Sequence, residues 1–233
     1  MAKFTFQLFN FDSLDIDEII RLLPNHFSLI RKEGDTFLTV IFDDAIDEKE
    51  IIYLIDREFD RIYFLTGCKI DFSLIHIMYS DGRQQARCGI KCSINAIQKI
   101  PDNIGPQQWE NNIDTQLKLW RLAHEDNIAL GARVNLLFQI IEIEYPDNKN
   151  YPEYNDPKLE PSPMTEAKLL RHIVSHGKSP IKSSQLRKYC KFLGLRAEMH
   201  DPANPKFVDA INRRLPVITN LAKEIIEAKL TKI

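Results

Sequence analysis

Pro101-Asp102-Asn103-Ile104-Gly105-Pro106 is the stretch on which the reading of the fold turns, because the hydrophobic period changes across it. Before it, apolar residues alternate or gather in short β-branched runs. Lys3 to Phe9 places Phe4, Phe6 and Leu8 on one face, and Thr36 to Phe42 is β-branched and aromatic. Ile70 to Tyr79 and Ala86 to Asn95 read as two further strands around Ser80-Asp81-Gly82-Arg83, where Asp-Gly suits the left-handed angles of a hairpin turn. Asp15 to Leu23 and Asp47 to Leu65 read as helices; in the second, Ile51, Ile55, Phe59 and Ile62 recur every three or four residues behind Asp47 as N-cap.

Beyond Pro106 the period is helical. Trp109, Ile113, Leu117 and Trp120 form one stripe, and Leu130, Val134, Leu137, Phe138 and Ile141 the next, all of them core positions. A third helix is expected from Ser162-Pro163, a cap followed by a proline suited to the first turn, to Gly177. A fourth runs from about Ser183 to Leu193 and is closed by Gly194. The last spans about Pro205 to Leu230, with Phe207, Ile211, Leu215, Ile218 and Ile225 inward and Pro216 expected to kink or break it. Pro146 to Ser162 is polar, holds four prolines and is long for a connection inside a compact domain, so it is expected to be mobile or functional and open to proteases. The pattern therefore predicts an α+β domain over residues 1–105, followed by an all-α helical bundle over residues 106–233.

Composition narrows the function. The chain has 233 residues, 44% hydrophobic and 27% charged, with a formal net charge of -2, which excludes a uniformly basic nucleic-acid coat. Charge is nevertheless unevenly spread. Residues 161–233 hold 14 Lys or Arg against 6 Asp or Glu, whereas residues 1–160 hold 17 against 27. The basic end suits an anionic partner, or attraction to the acidic part or to a second subunit. No apolar run reaches the roughly 18–20 residues of a membrane span, and the N-terminus lacks a secretory apolar region, so no membrane partner and a cytoplasmic location are expected. Cys68, Cys88, Cys92 and Cys190 show no C-x2-C spacing and read as structural thiols. No Gly-rich phosphate loop or Gly-x-Ser-x-Gly elbow occurs, and no cofactor is implied.

The third helix carries Leu169-Leu170-Arg171-His172-Ile173-Val174-Ser175-His176-Gly177. An arginine, a polar neighbour and a histidine five positions on, at the end of a helix in an all-helical basic segment, resemble the Arg-x4-His motif of the HEPN superfamily. The resemblance covers residues 106–233 and extends to the helix order. It implies a metal-independent endoribonuclease, a toxin or defence effector in some members, in which the neighbouring 2′-hydroxyl attacks the scissile phosphate. It also implies a homodimer that completes the site, with RNA as substrate and an antitoxin or other regulatory protein as further partner. The chemistry suits the residues: His176, with His172 beside it, moves protons near neutral pH, and Arg171 grips phosphate oxygens with a fixed charge. Glu142 on the second helix is the candidate for orienting Arg171, with Glu144 as its competitor. Lys168, Lys178, Lys182, Arg187, Lys188 and Lys191 are candidates for tracking an RNA backbone.

Other readings of the same residues stand beside this one. Arg171, His172 and His176 also suit a packing or surface role, which makes the chain a non-catalytic HEPN-like RNA-binding or protein-interaction scaffold. His172 and His176 share a helix face as zinc ligands would, but the segment lacks the glutamate of H-E-x-x-H and an evident third ligand. Arg171 and His176 lie about 140° apart on an ideal helix, so their convergence needs a frayed end, a reaching arginine or a second copy.

Overall fold

The computed structural model describes residues 1–9, 15–43, 46–87, 107–109, 113–175, 179–196, 199–200 and 204–232. The chain is mixed α+β and divides into two compact units, Met1–Gln108 and Trp109–Thr231, with Lys232 assigned to the first.

The first unit runs β1 (Ala2–Phe9), α1 (Ile16–Leu22), β2 (Phe27–Lys32), β3 (Asp35–Phe42), α2 (Glu48–Thr66), β4 (Asp71–Met78) and β5 (Gln84–Ala86). Its five strands form one antiparallel sheet in the order β2-β3-β1-β4-β5. The first four strands and both helices have the split β-α-β connectivity of ferredoxin-like folds, an architecture shared by unrelated activities and therefore silent about function. The core follows the alternation of β1. Phe4 lies between Val40 and Ile77, and Phe6 between Leu38 and Leu74, all buried. A register shift between Thr5 and Phe6 gives β4 one extra residue, so Leu74 and Ile77, three positions apart, share the core face. Ile19, Ile51, Ile55, Phe59 and Ile62 join the same cluster, each worth about 1.5–3 kcal/mol of burial. Asp47 caps α2 by accepting from the Lys49 amide, and Gly67 closes it at φ 72°.

Two local features differ from the sequence reading. β2 is additional: Phe27 and Leu29 are buried while Ser28 and Ile30 are exposed, and the strand turns into β3 through Glu33 (φ 54°) and Gly34 (φ 88°). Positive φ at both positions is the tight hairpin geometry usually signalled by Asn-Gly, which Glu-Gly disguises. In the Tyr79–Arg83 turn only Gly82 is left-handed, at φ 84°, with its amide donating to the Tyr79 carbonyl. β5 begins at Gln84, and most of the strand expected over residues 86–95 lies outside the described residues.

From residue 107 on, the chain forms β6 (Gln107–Trp109), α3 (Asp114–Ala123), α4 (Leu130–Glu144), a 3-10 turn (Asn148–Asn150), α5 (Pro163–Ser175), β7 (Ser179–Pro180), α6 (Ser184–Phe192), β8 (Met199–His200), α7 (Pro205–Ala228) and β9 (Leu230–Lys232), the helices all lying in the second unit. α4 is the central helix and packs on α3, α5 and α7. Its buried residues Val134, Leu137, Phe138, Ile140 and Ile141 sweep a broad arc, as a helix with three neighbours requires.

The expectation of helices alone after residue 106 is corrected by two small two-stranded sheets, β6 with β9 and β7 with β8, the latter pair antiparallel. Trp109 belongs to a strand rather than to the α3 stripe, which Ile113, Leu117 and Trp120 supply. Pro216 does not break α7, which continues for 24 residues. Asn212, whose carbonyl loses its partner at the proline, is exposed like Pro216 itself, so water can satisfy that oxygen. α6 ends as its glycine predicts: Gly194 has φ 73°, and the Leu195 amide reaches back to the Cys190 carbonyl at 2.8 Å.

The proline-rich connection is anchored along its length. Tyr154 is buried against Tyr189 and Phe192, and its hydroxyl donates to the Leu159 carbonyl at 2.8 Å. The Thr165 hydroxyl donates to the Pro152 carbonyl at 2.7 Å, and the Lys188 ammonium to Asn155 Oδ1 at 3.0 Å. Among the described residues no helix is long and apolar enough to cross a membrane.

Candidate functional site

α5 starts where Ser162 and Pro163 specify: the Ser162 hydroxyl accepts from the Thr165 amide at 3.3 Å. Leu169, Leu170 and Ile173 bury one face of α5 and leave Lys168, Arg171 and Ser175 along a margin that meets α4. The two helices run antiparallel there. A Cβ on Gly131 would lie 3.5 Å from Val174 Cβ, and the Ser175 hydroxyl donates to Asn135 Oδ1 at 2.9 Å. The Arg171 guanidinium sits 5.7 Å above the centre of the Phe138 ring. Gly131, Asn135, Phe138 and Glu142 therefore form the α4 stripe that faces the motif helix, at the spacing of successive helical turns.

Tyr151 of the proline-rich segment extends this ribbon. Its ring lies 6.0 Å from that of Phe138, and the Lys168 ammonium is 5.1 Å from its centre. Burial, and secondarily the Glu142 carboxylate, raise its phenol above the ordinary value. Each of two neighbouring rings thus carries a cation, Arg171 on Phe138 and Lys168 on Tyr151.

The other expected residues are distributed as follows. Glu142 is exposed, and no hydrogen bond or ion pair joins it to Arg171. Glu144 pairs with Lys229 at 2.6 Å instead. His172 is half-buried. His176 and Lys178 lie outside the described residues, as do Gly177, Cys88 and Cys92. Lys182 is exposed, the Arg187 Nε donates to the Ile181 carbonyl at 2.7 Å, and Lys188 is engaged with Asn155. Among the described residues no three His, Cys, Asp or Glu side chains converge as a metal ion would need.

The same helix carries a second polar centre that the sequence reading passed over. Glu166 is 0% exposed, accepts from Arg214 Nε and Nη2 at 2.6 Å each and from the Tyr189 hydroxyl at 2.7 Å. Arg214 also bonds Glu160 at 2.5 Å and covers the Phe192 ring at 5.4 Å. Burial, reinforced by the adjacent Glu166, drives the Tyr189 phenol far up, and the hydrogen bonds from Arg214 to Glu166 raise the guanidinium further. The available signal was positional: Glu166 precedes Leu170 by four and Ile173 by seven, so an acid falls on the buried stripe.

At the end of α3, His124 Nδ1 lies 2.8 Å from the Trp120 carbonyl and the imidazole packs on the Trp120 ring. Burial lowers its pKa, so this histidine is predominantly neutral at pH 7. Comparison of the chain with protein-family models, with curated proteins and with solved structures finds no match to any of them.

Proposed function

We propose that the chain is a metal-independent endoribonuclease of HEPN type, with Arg171 as the phosphate-gripping group and His176 as the proton-transfer group. In this reading the 2′-oxygen of a single-stranded RNA bonds to phosphorus while the bond to the 5′-oxygen breaks. His176 handles the proton that the first oxygen loses or the second gains, and Arg171 stabilises the charge on the phosphoryl oxygens. The observation that carries the reading is the state of Arg171. Its guanidinium is half-buried on the Phe138 face, and among the described residues no carboxylate pairs with it. A guanidinium steadied by a ring keeps its N–H donors for a ligand. Lys168, three residues earlier on the same margin, adds a second cation for the RNA backbone. Glu142 and His172 act nearby, and Lys178, Lys182, Arg187 and Lys188 extend the basic surface.

The helical part is assigned to the HEPN-like bundle class and the assembly to a homodimer, in which a second copy completes the site. A toxin or defence role with an antitoxin partner fits such an activity, and a cytoplasmic location fits an RNA substrate. Sedimentation of the purified chain at tens of micromolar checks the dimer: a monomer there removes the shared site. The deciding experiment is cleavage of one labelled single-stranded RNA, with chelator present, by wild type and His176→Ala. A loss of roughly a hundredfold or more in rate is expected, the size of a missing acid-base group. Equal cleavage by both proteins excludes His176 from the chemistry. The second reading, a non-catalytic scaffold, is favoured by the same contact seen differently, since packing on Phe138 is also what a structural arginine does. Absence of cleavage with retained RNA binding supports it.

A further inference from the structure

We propose that the cleft between the C-terminal end of α6 and the middle of α7 binds a small phosphorylated ligand of mononucleotide size. The cleft is open to solvent, has a volume of about 470 Å³ and is lined by Phe192, Leu193, Arg213 and Arg214. That volume falls within the roughly 300–1,000 Å³ of small-molecule sites. Two consecutive arginines on its wall are used differently. Arg214 is pinned through Nε and Nη2 by the wholly buried Glu166, and its Nη1 makes no hydrogen bond among the described residues. A guanidinium clamped by a buried carboxylate, with one edge left over, is preorganised to receive an anion at little entropic cost. Arg213 is exposed and has no ion-pair partner among the described residues.

The charge balance permits this. Glu166 neutralises Arg214, but Glu160, the other carboxylate on that guanidinium, has a side chain 66% exposed and is held in a solvent-screened pair. A phosphate can take its place. Exposed Lys191 and Arg196 follow closely in sequence on either side of Phe192-Leu193 and keep the neighbourhood positive. On the apolar side of the site the Phe192 ring stacks on that of the buried Tyr189 at 5.9 Å and 19°. Phosphate at the arginines, with the body of the ligand against Phe192 and Leu193, uses every wall of the cleft. This inference does not depend on Arg171 or on RNA cleavage.

Calorimetric titration of the full chain with adenosine and uridine monophosphate, inorganic phosphate and adenosine tests it. The monophosphates should bind, with adenosine at least tenfold weaker. Arg213→Ala should weaken the monophosphates tenfold or more, the scale of one lost charge-assisted contact. Glu160→Gln should tighten them by removing the competing carboxylate. Lys206→Ala, two turns earlier on α7 (roughly 10 Å), should leave them unchanged. No binding at millimolar ligand overturns the proposal. So does an equal loss in Arg213→Ala and Lys206→Ala, which would mark general charge attraction, or adenosine binding as well as its monophosphate.

Discussion

Glu166 of α5 and Arg214 of α7, 48 residues apart in sequence, share two hydrogen bonds of 2.6 Å in the interior of the helical unit. The pair joins two helices that pack on each other, and Tyr189 of α6 adds a third donor at 2.7 Å. A buried ion pair of this kind adds little over apolar replacements, but removing one partner strands the other charge. Arg214→Met is therefore expected to cost about 3–5 kcal/mol, because a carboxylate with 0% exposure then loses its cation. Glu166→Leu combined with Arg214→Leu should recover much of that loss. Urea denaturation of the single and double variants decides the point: a single-variant loss below about 1 kcal/mol contradicts the buried-pair account.

The proline-rich segment is expected to resist proteases as long as Tyr154 holds it. Lys149 and Lys158 are exposed, yet the backbone between them is fastened by the Tyr154, Asn155 and Pro152 bonds. Cleavage needs local release of that backbone, so its rate reports the anchoring. Tyr154→Ala should speed tryptic cutting at Lys158 by an order of magnitude or more, as peptide mass spectrometry over a time course would show. Equal rates in variant and wild type would mean that the tyrosine does not hold the segment.

Cys190 is wholly buried, and burial pushes its thiol up to about 11. At pH 8 only about one part in a thousand is thiolate, the reactive form. Iodoacetamide should label the Cys190 peptide at least about a hundredfold more slowly in the native chain than in denaturant. The linkage sign follows from the same shift. Between about 9, the ordinary value, and about 11 the folded state holds a proton that the unfolded state has lost, so stability falls as pH rises through that window. Cys190→Ala should flatten that part of the stability profile.

Much of the first unit was legible because its core is one-sided. Phe4, Phe6 and Leu8 keep a strict period of two, and Ile51, Ile55, Phe59 and Ile62 keep a helical one. β2 escaped because it is short, ends in Arg31-Lys32 and turns on Glu33-Gly34 rather than on a pair with known left-handed preference. In the helical unit the caps at Ser162 and Gly194 were readable, since each meets a backbone need at one position. Whether Pro216 breaks α7 could not be read, because its cost depends on which way the bereft carbonyl faces, and periodicity does not resolve that for one residue. The arginine of the motif could be named from sequence, but its seat on Phe138 could not. That contact depends on the antiparallel register of α4 and α5, which two stripes alone leave open.

The Arg171–Phe138 contact separates packing from chemistry when both sides are varied. A half-buried guanidinium over a ring contributes about 0.5–1 kcal/mol, and a lysine ammonium recovers part of it. Arg171→Lys should thus change stability by less than about 1 kcal/mol. If the chain is the ribonuclease proposed above, its effect on RNA cleavage should be far larger, tenfold or more, because lysine lacks the planar fork that can hold two phosphate oxygens. Phe138→Leu inverts the comparison. The ring is buried, so its truncation should cost about 1–3 kcal/mol, the range of a packing defect. The arginine keeps its donors but loses its seat, so cleavage should fall by less than in Arg171→Lys. Thermal melts and single-turnover cleavage of one labelled RNA, run on both variants, supply the comparison. If Arg171→Lys melts more than about 2 kcal/mol below wild type while cutting RNA at the wild-type rate, Arg171 is a packing residue and the phosphate must be gripped elsewhere.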